Sequence, residues 1–318
     1  MTSKISVVIP CYNAETYIEQ AIQSVVSDAF EVIVVDDSST DGSAALLEGL
    51  GSQITLIRAQ KIGACAARNL GLSLTTGSYT MFLDADDWLE PGALSGLARS
   101  LDVSDADFAL APVVVEDANG DRTNRSAPRI EHAERFLIDW LIGIYVPPCG
   151  ILWRTETVRQ LGGWNEKLLK NQDGDLVLRA IQSGAAPTRS EIAAAVYRDH
   201  DSVDRISNTV TSKKLQDSFE VIRAAHIRAA SERQPSEELS KAFSIAFHGV
   251  ERLAARTALS DVEQEIRAYR LASGWPPAEG GWGHVTASRI FGLAAKERMA
   301  KWIRPRLGIV RRRQKRPA

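Results

Sequence analysis

The chain is poor in cysteine. Its 318 residues hold three, Cys11, Cys65 and Cys149, far apart in sequence. That number and spacing support neither a disulfide framework nor a Cys/His metal-ligand set, and they suit a reducing compartment. Long hydrophobic runs are also missing: no uninterrupted apolar stretch approaches the roughly 18 residues of a membrane-spanning helix. Met1-Thr2-Ser3-Lys4 runs straight into a strand pattern, so no secretory leader is expected, and we expect a cytoplasmic protein. There is no internal repeat. No Gly-x-Gly-x-x-Gly follows the first strand, which argues against a dinucleotide oxidoreductase. A Gly-rich phosphate loop bearing Lys or Arg is absent from the same place, where Pro10-Cys11-Tyr12-Asn13 stands instead.

Hydrophobic content of 44% and charged content of 25% are ordinary for a globular protein and allow a sizeable core. The length allows one large domain or two smaller ones. The net charge of -2 hides an asymmetry, because residues 289–318 carry eleven Lys/Arg and one acid, Glu297, leaving -12 on the rest. In that tail Phe291, Ala295, Met299, Trp302 and Ile303 share one helical face, and Arg289, Lys296, Lys301 and Arg304 the other. A basic amphipathic helix with Trp and Phe suits an anionic membrane surface, each nearby cation adding about 1 kcal/mol at most. Residues 289–318 are therefore expected to touch the inner face of the cytoplasmic membrane, with a solvated tail as the alternative reading. The acidic remainder argues against nucleic acid.

Short β-rich runs alternate with helical spacing. Ile5 to Ile9, Glu31 to Val35, Ile54 to Ile57 and Tyr79 to Leu83 read as strands. Helices are expected over 16–26, 43–50, 63–74 and 91–101. Such alternation implies βαβ units and a mostly parallel sheet flanked by helices. Further on, 107–115, 150–153 and 193–200 read as strands, and 131–143, 155–161 and 174–183 as helices; 116–129 is polar with a turn at Asn119-Gly120. After Ser212 the pattern is helical only, with Ser236 capping one helix and Ser260-Asp261-Val262-Glu263 forming a capping box for another. We expect domains at 1–212, 213–274 (a helical extension) and 275–318, the last being a linker around Trp275-Pro276-Pro277 and Gly280-Gly281 and then the basic tail.

The densest chemistry lies in Met81-Phe82-Leu83-Asp84-Ala85-Asp86-Asp87-Trp88. Three carboxylates follow the end of an apolar strand within four residues. At a strand end, i and i+2 carboxylates can be aimed at one ligand. Mg²⁺ and Mn²⁺ take one or two carboxylates plus substrate phosphates. A metal-diphosphate site and a solvated acidic turn are both consistent with this stretch alone. Pro10-Cys11-Tyr12-Asn13, the Asp36-to-Gly42 loop and Asp84/Asp86 all fall at carboxyl ends of strands, where ligands bind in such sheets.

Several motifs stand in one order: Val7-Val8-Ile9-Pro10-Cys11-Tyr12-Asn13, Val34-Val35-Asp36-Asp37-Ser38-Ser39-Thr40-Asp41-Gly42, Ala67-Arg68-Asn69-Leu70-Gly71, Phe82-Leu83-Asp84-Ala85-Asp86-Asp87, Gly162-Gly163-Trp164-Asn165-Glu166 and Gln172-Asp173-Gly174-Asp175-Leu176. Over about Lys4 to Ser207 the chain resembles the family 2 glycosyltransferases, which have the glycosyltransferase-A fold. The resemblance implies an inverting transfer from a nucleotide sugar, most often a UDP-sugar, to a hydroxyl of a glycan or lipid-linked glycan in surface polysaccharide or glycolipid assembly. It implies that Pro10, Tyr12, Asp36, Asp37, Arg68, Asp84 and Ala85 line the donor site, Tyr12 against the base and Asp37 accepting from it. By the same resemblance Asp86, Asp84 and His200 hold Mn²⁺ or Mg²⁺, and Asp173 is the general base. Where the family usually has Glu-Asp, this chain has Gln172-Asp173.

Alternatives remain at several positions. Arg68 also suits a surface helix, Asp41 and Asp87 suit helix caps, and one of Asp173 and Asp175 suits a cap. Trp164 suits either contact with a sugar or a place in the core. Tyr197-Arg198-Asp199-His200 and Arg205-Ile206-Ser207 resemble the family segment after the last strand. The rival functions are a nucleotidyltransferase on a similar sheet, disfavoured by the missing basic phosphate loop, and a catalytically silent binding module, disfavoured by Asp84, Asp86 and Asp173.

Overall fold

The computed structural model describes residues 3–200 and 210–275. The linker after Trp275, the basic tail and the Arg205-Ile206-Ser207 segment lie outside the described residues. The chain divides into two units, 1–208 and 209–318.

The strands of the first unit are β1 (Ile5–Cys11), β2 (Glu31–Asp36), β3 (Thr55–Arg58), β4 (Tyr79–Phe82), β5 (Trp88–Leu89), β6 (Phe108–Leu110), β7 (Val113–Asp117), β8 (Arg122–Arg125), β9 (Ile151–Arg154), β10 (Pro187–Arg189) and β11 (Ala195–Asp199). The main sheet has the order β10-β6-β9-β4-β1-β2-β3. It is parallel except for β9, which runs against both neighbours. This is the mostly parallel, helix-flanked sheet expected from the sequence. Ile5, Val7, Val8 and Ile9 of β1 are all buried, because a central parallel strand is covered on both faces.

The helices around the sheet are α1 (Ile18–Gln23), α2 (Ser43–Gly49), α3 (Ala64–Leu74), α4 (Ala93–Asp102), α5 (Ala133–Leu141), α6 (Thr155–Gln160) and α7 (Gln172–Gln182). Helix α3 approaches β1 so closely that a Cβ at Gly71 would stand 2.3 Å from Val8 Cγ1. Glycine there seats α3, and with it Arg68, directly on the sheet.

Three expectations are corrected. The strand read over 107–115 is two strands in two sheets: β6 joins the main sheet, and β7 a four-stranded sheet of order β5-β11-β7-β8. The break falls at Ala111-Pro112, where proline has no N–H for a ladder bond and restricts the residue before it. Helix α1 begins at Ile18 rather than Thr16, which leaves Tyr17 half-buried at its N-terminal cap position. The polar 116–129 stretch turns at Asn119-Gly120, as expected, but it also carries β8 in a hairpin with β7.

The second unit, as far as described, is helical: α8 (Ser212–Glu232), α9 (Glu237–Arg256) and α10 (Ser260–Ala272). Ser236 caps α9 by accepting from Leu239 N at 3.1 Å. The capping box at Ser260 does not form, because Ser260 is already inside the helix and Leu259 holds the cap position without a side-chain bond. Glu263 is buried. Phe219 packs edge-on against Phe247 and Tyr269, whose rings are tilted against each other, in the core of this unit.

Candidate functional site

The carboxyl ends of β1, β2 and β3 form a cradle of loops that hold one another. Asn13, Ser38 and Lys61, none of them glycine, take left-handed backbone with φ of 49°, 64° and 52°. Such backbone costs energy and persists only where surrounding bonds fix it. The bonds are present: Asn13 N donates to Ser39 Oγ at 3.0 Å, Thr40 N to Asn13 Oδ1 at 2.8 Å, and Ser38 Oγ to Ala59 O at 2.8 Å. Asp36 is buried and accepts from Ser39 N at 3.2 Å. Asp37 accepts from Ile62 N at 2.6 Å and Gly63 N at 2.8 Å, so its carboxylate pins the loop that opens α3. Tyr12, following half-buried Pro10 and buried Cys11, keeps 44% of its surface exposed, with Lys61 Nζ 5.3 Å from its ring centroid. Asp41 accepts from Ser43 N at 3.0 Å, the capping role open to it from sequence.

Beyond β4 the chain turns through Asp84, buried Ala85, Asp86 and Asp87, closed by Asp87 N donating to Asp84 O at 3.0 Å. Asp84 Oδ1 meets Arg68 Nη2 at 2.5 Å. Arg68 is buried, so its surface reading is corrected: Gly71 brings α3 onto the sheet and turns that side chain inward. Its Nη1 donates to Gln172 Oε1 at 3.2 Å, and its Cζ lies 4.4 Å over the Trp164 ring. Gln172 thus gives Arg68 a neutral acceptor.

Asp86 Oδ2 and His200 Nε2 are 3.0 Å apart. Asp87 departs from the cap expected of it. It is buried, and its Oδ1 accepts from Arg198 N at 3.0 Å, tying β11 to the acidic turn. No helix begins beside it, because the next residues enter β5. Burial, then the charges of Asp86 and Asp84, push its carboxyl well above the usual carboxylate range.

Asp173 and Asp175 open α7. Asp175 is engaged by Arg179 at 2.8 Å. Asp173 instead lies within electrostatic reach of Asp84 and Arg68; burial pushes its carboxyl up, Asp84 adds to this, and the Gly174 N–H and Arg68 oppose it. A carboxyl raised in this way is a better proton acceptor than an ordinary aspartate once ionised.

Trp164 is buried, with one face under Arg68 and an edge contact to Phe82 at 5.1 Å. It is a core residue that supports Arg68. Asn69, quoted within its motif but given no role from sequence, clamps it: Asn69 Oδ1 accepts from Trp164 N at 2.8 Å and Nδ2 donates to Trp164 O at 2.9 Å. Gly162 and Gly163 turn there with φ of 78° and 72°.

Among the described residues no group of three or more His, Cys, Asp or Glu side chains is arranged to hold an ion by itself. Asp86 and His200 are already adjacent, while Asp84 is engaged by Arg68; a carboxylate beside an imidazole suits a hard divalent cation that completes its shell with phosphate oxygens and water.

Comparison with known proteins agrees with this geometry. Residues 6–158 match the profile of glycosyl transferase family 2. Glycosyltransferase GlyA of Streptococcus pneumoniae is 34% identical over 34% of this chain and 16% of its own length. The pre-mycofactocin glycosyltransferase of Mycobacterium tuberculosis is 29% identical over 62% of this chain and 43% of its own length. These matches cover less than half of either relative. Residues 1–349 of S. aureus TarS, solved with UDP-GlcNAc, superpose with a TM-score of 0.65 at 18% identity, covering 97% of this chain and 93% of that one. The fold is therefore the glycosyltransferase-A arrangement, and residues 6–158 within the first unit carry the profile of glycosyl transferase family 2.

Proposed function

We propose that the chain transfers a sugar from a UDP-sugar to a hydroxyl group with inversion at the anomeric carbon, in the assembly of a surface polysaccharide or glycolipid. The observation that carries this reading is the placement of Asp173. It shares the electrostatic surroundings of Asp84 and Arg68, its carboxyl is raised by burial, and its neighbour Asp175 is occupied by Arg179.

Tyr12 offers an exposed ring for the nucleobase, and the Asp37-pinned loop borders it. TarS, which shares the fold, was solved with UDP-GlcNAc and supports a uridine nucleotide here. Asp86, Asp84 and His200 would hold Mn²⁺ or Mg²⁺, which when bound neutralises the leaving diphosphate. Arg68 adds a permanent cation beside Asp84. Asp173 takes the proton of the acceptor hydroxyl as that oxygen attacks the anomeric carbon. The bond from that carbon to the diphosphate oxygen breaks on the opposite face, and its electron pair leaves with the diphosphate.

A thermal-shift panel of nucleotide sugars with Mn²⁺ tests the donor class, since a ligand that binds only the folded state stabilises it by mass action. UDP and UDP-sugars should raise the unfolding midpoint more than GDP-sugars do; no response to any uridine nucleotide contradicts the proposal. We also propose peripheral attachment to anionic membranes through 289–318, supported by the charge pattern of that segment. Equal co-sedimentation with anionic liposomes after removal of 289–318 contradicts it.

A further inference from the structure

Tyr17 reads in the sequence as one apolar position of a helix. Its surroundings give it other work. Its ring stacks on the His200 imidazole, with centroids 4.9 Å apart and planes 30° apart. Arg198 Cζ lies 4.8 Å from the centroid of the same ring. Residues 198 and 200 project to one side of an extended chain, so a single ring can meet both. Arg198 also donates to Gln20 Oε1 at 2.6 Å, one turn into α1, while its backbone N donates to Asp87 Oδ1 at 3.0 Å. Residues 198–200 are thus held from two sides, by α1 through Tyr17 and Gln20 and by the acidic turn through Asp86 and Asp87.

We infer that Tyr17 is a positioning residue, which by stacking on His200 holds Nε2 of that imidazole against Asp86 as one ligand of the divalent cation. The inference rests on the metal reading proposed above. An imidazole with no ring against it can rotate about its Cβ–Cγ bond and turn Nε2 away from Asp86. A stacked imidazole loses its ring contact if it turns, so the orientation is fixed before any ion arrives. An aliphatic side chain fills the same space without selecting a ring plane, and phenylalanine keeps the stack.

The test is Mn²⁺ binding to the full chain in the presence of saturating UDP, read from the EPR signal of free Mn²⁺, beside UDP affinity measured in EDTA. Tyr17→Phe should match the wild type. Tyr17→Leu should weaken Mn²⁺ binding about three- to tenfold, the range of an aromatic pair, and leave UDP affinity in EDTA unchanged. His200→Ala should weaken Mn²⁺ binding, and adding Tyr17→Leu to it should cost nothing more. Wild-type Mn²⁺ affinity in Tyr17→Leu, or a full additional loss in the double variant, overturns the positioning role while leaving the metal site standing. Wild-type Mn²⁺ affinity in His200→Ala overturns the metal assignment of His200 and the inference together. A Tyr17→Leu chain that also loses UDP affinity in EDTA overturns the inference as well, because the residue would then be supporting the fold of the whole site.

Discussion

Replacing Arg68 by methionine removes the cation on which the centre of the site converges. Arg68 is buried, pairs with Asp84 at 2.5 Å, donates to Gln172 at 3.2 Å and lies over Trp164. Breaking a buried ion pair by removing one partner costs about 3–5 kcal/mol, because the other charge is left uncompensated. Two features reduce that here. The Asp84 side chain is 28% exposed, so its carboxylate keeps part of its hydration. Arg68 Nε is buried without a partner, and its removal recovers some of the about 1–3 kcal/mol that such a group costs. Methionine fills most of the volume, so the net loss should be about 2–3 kcal/mol. For a domain of this size, about 2–4 °C per kcal/mol translates this into a midpoint lowered by about 4–12 °C. Calorimetric unfolding of the full chain at neutral pH measures it. In Arg68→Met/Asp84→Asn much of the loss should return, since the uncompensated carboxylate is gone. A midpoint unchanged or raised in Arg68→Met, or no recovery in the double variant, refutes the idea that this pair organises the site.

The pH dependence follows from Asp173, which must be ionised to accept a proton. Burial raises its carboxyl and Arg68 opposes the rise, so transfer should fall as pH drops through the raised value, and Arg68→Met should move that acid limb to higher pH. A limb that moves to lower pH contradicts the assignment. Asn69→Ala removes both bonds that clamp Trp164, leaving its backbone N–H and C=O without those partners. The expected loss is about 2 kcal/mol in denaturant unfolding, together with weaker donor binding, and stability within about 0.5 kcal/mol of the wild type speaks against the clamp.

The sheet was legible in the sequence because parallel strands are buried on both faces. Ile5 to Ile9 and Glu31 to Val35 therefore stand out as apolar runs between turn residues. The second sheet was not. β8 is Arg-Thr-Asn-Arg and largely exposed, so it carries no apolar alternation, and β5 and β10 are too short to show a period. The acids of the site were legible as motifs, but their partners were not, because the partners come from distant parts of the chain. Arg68 meets Gln172 across 104 residues, and Asp87 meets the backbone of Arg198 across 111. Neither contact leaves a trace in local spacing. The same holds for Tyr17, whose helical spacing fits a core residue equally well and whose ring partner, His200, lies just past the end of β11.

The role of Asp173 as general base is read from Asp173→Asn in a binding and single-turnover experiment with a UDP-sugar, Mn²⁺ and an acceptor. The amide keeps the shape and position of the side chain but takes up no proton. Donor affinity should stay close to the wild type while transfer falls by at least about a hundredfold, the contribution of a positioned base. Transfer at the wild-type rate in Asp173→Asn, or its loss in Asp175→Asn with Asp173 intact, contradicts it.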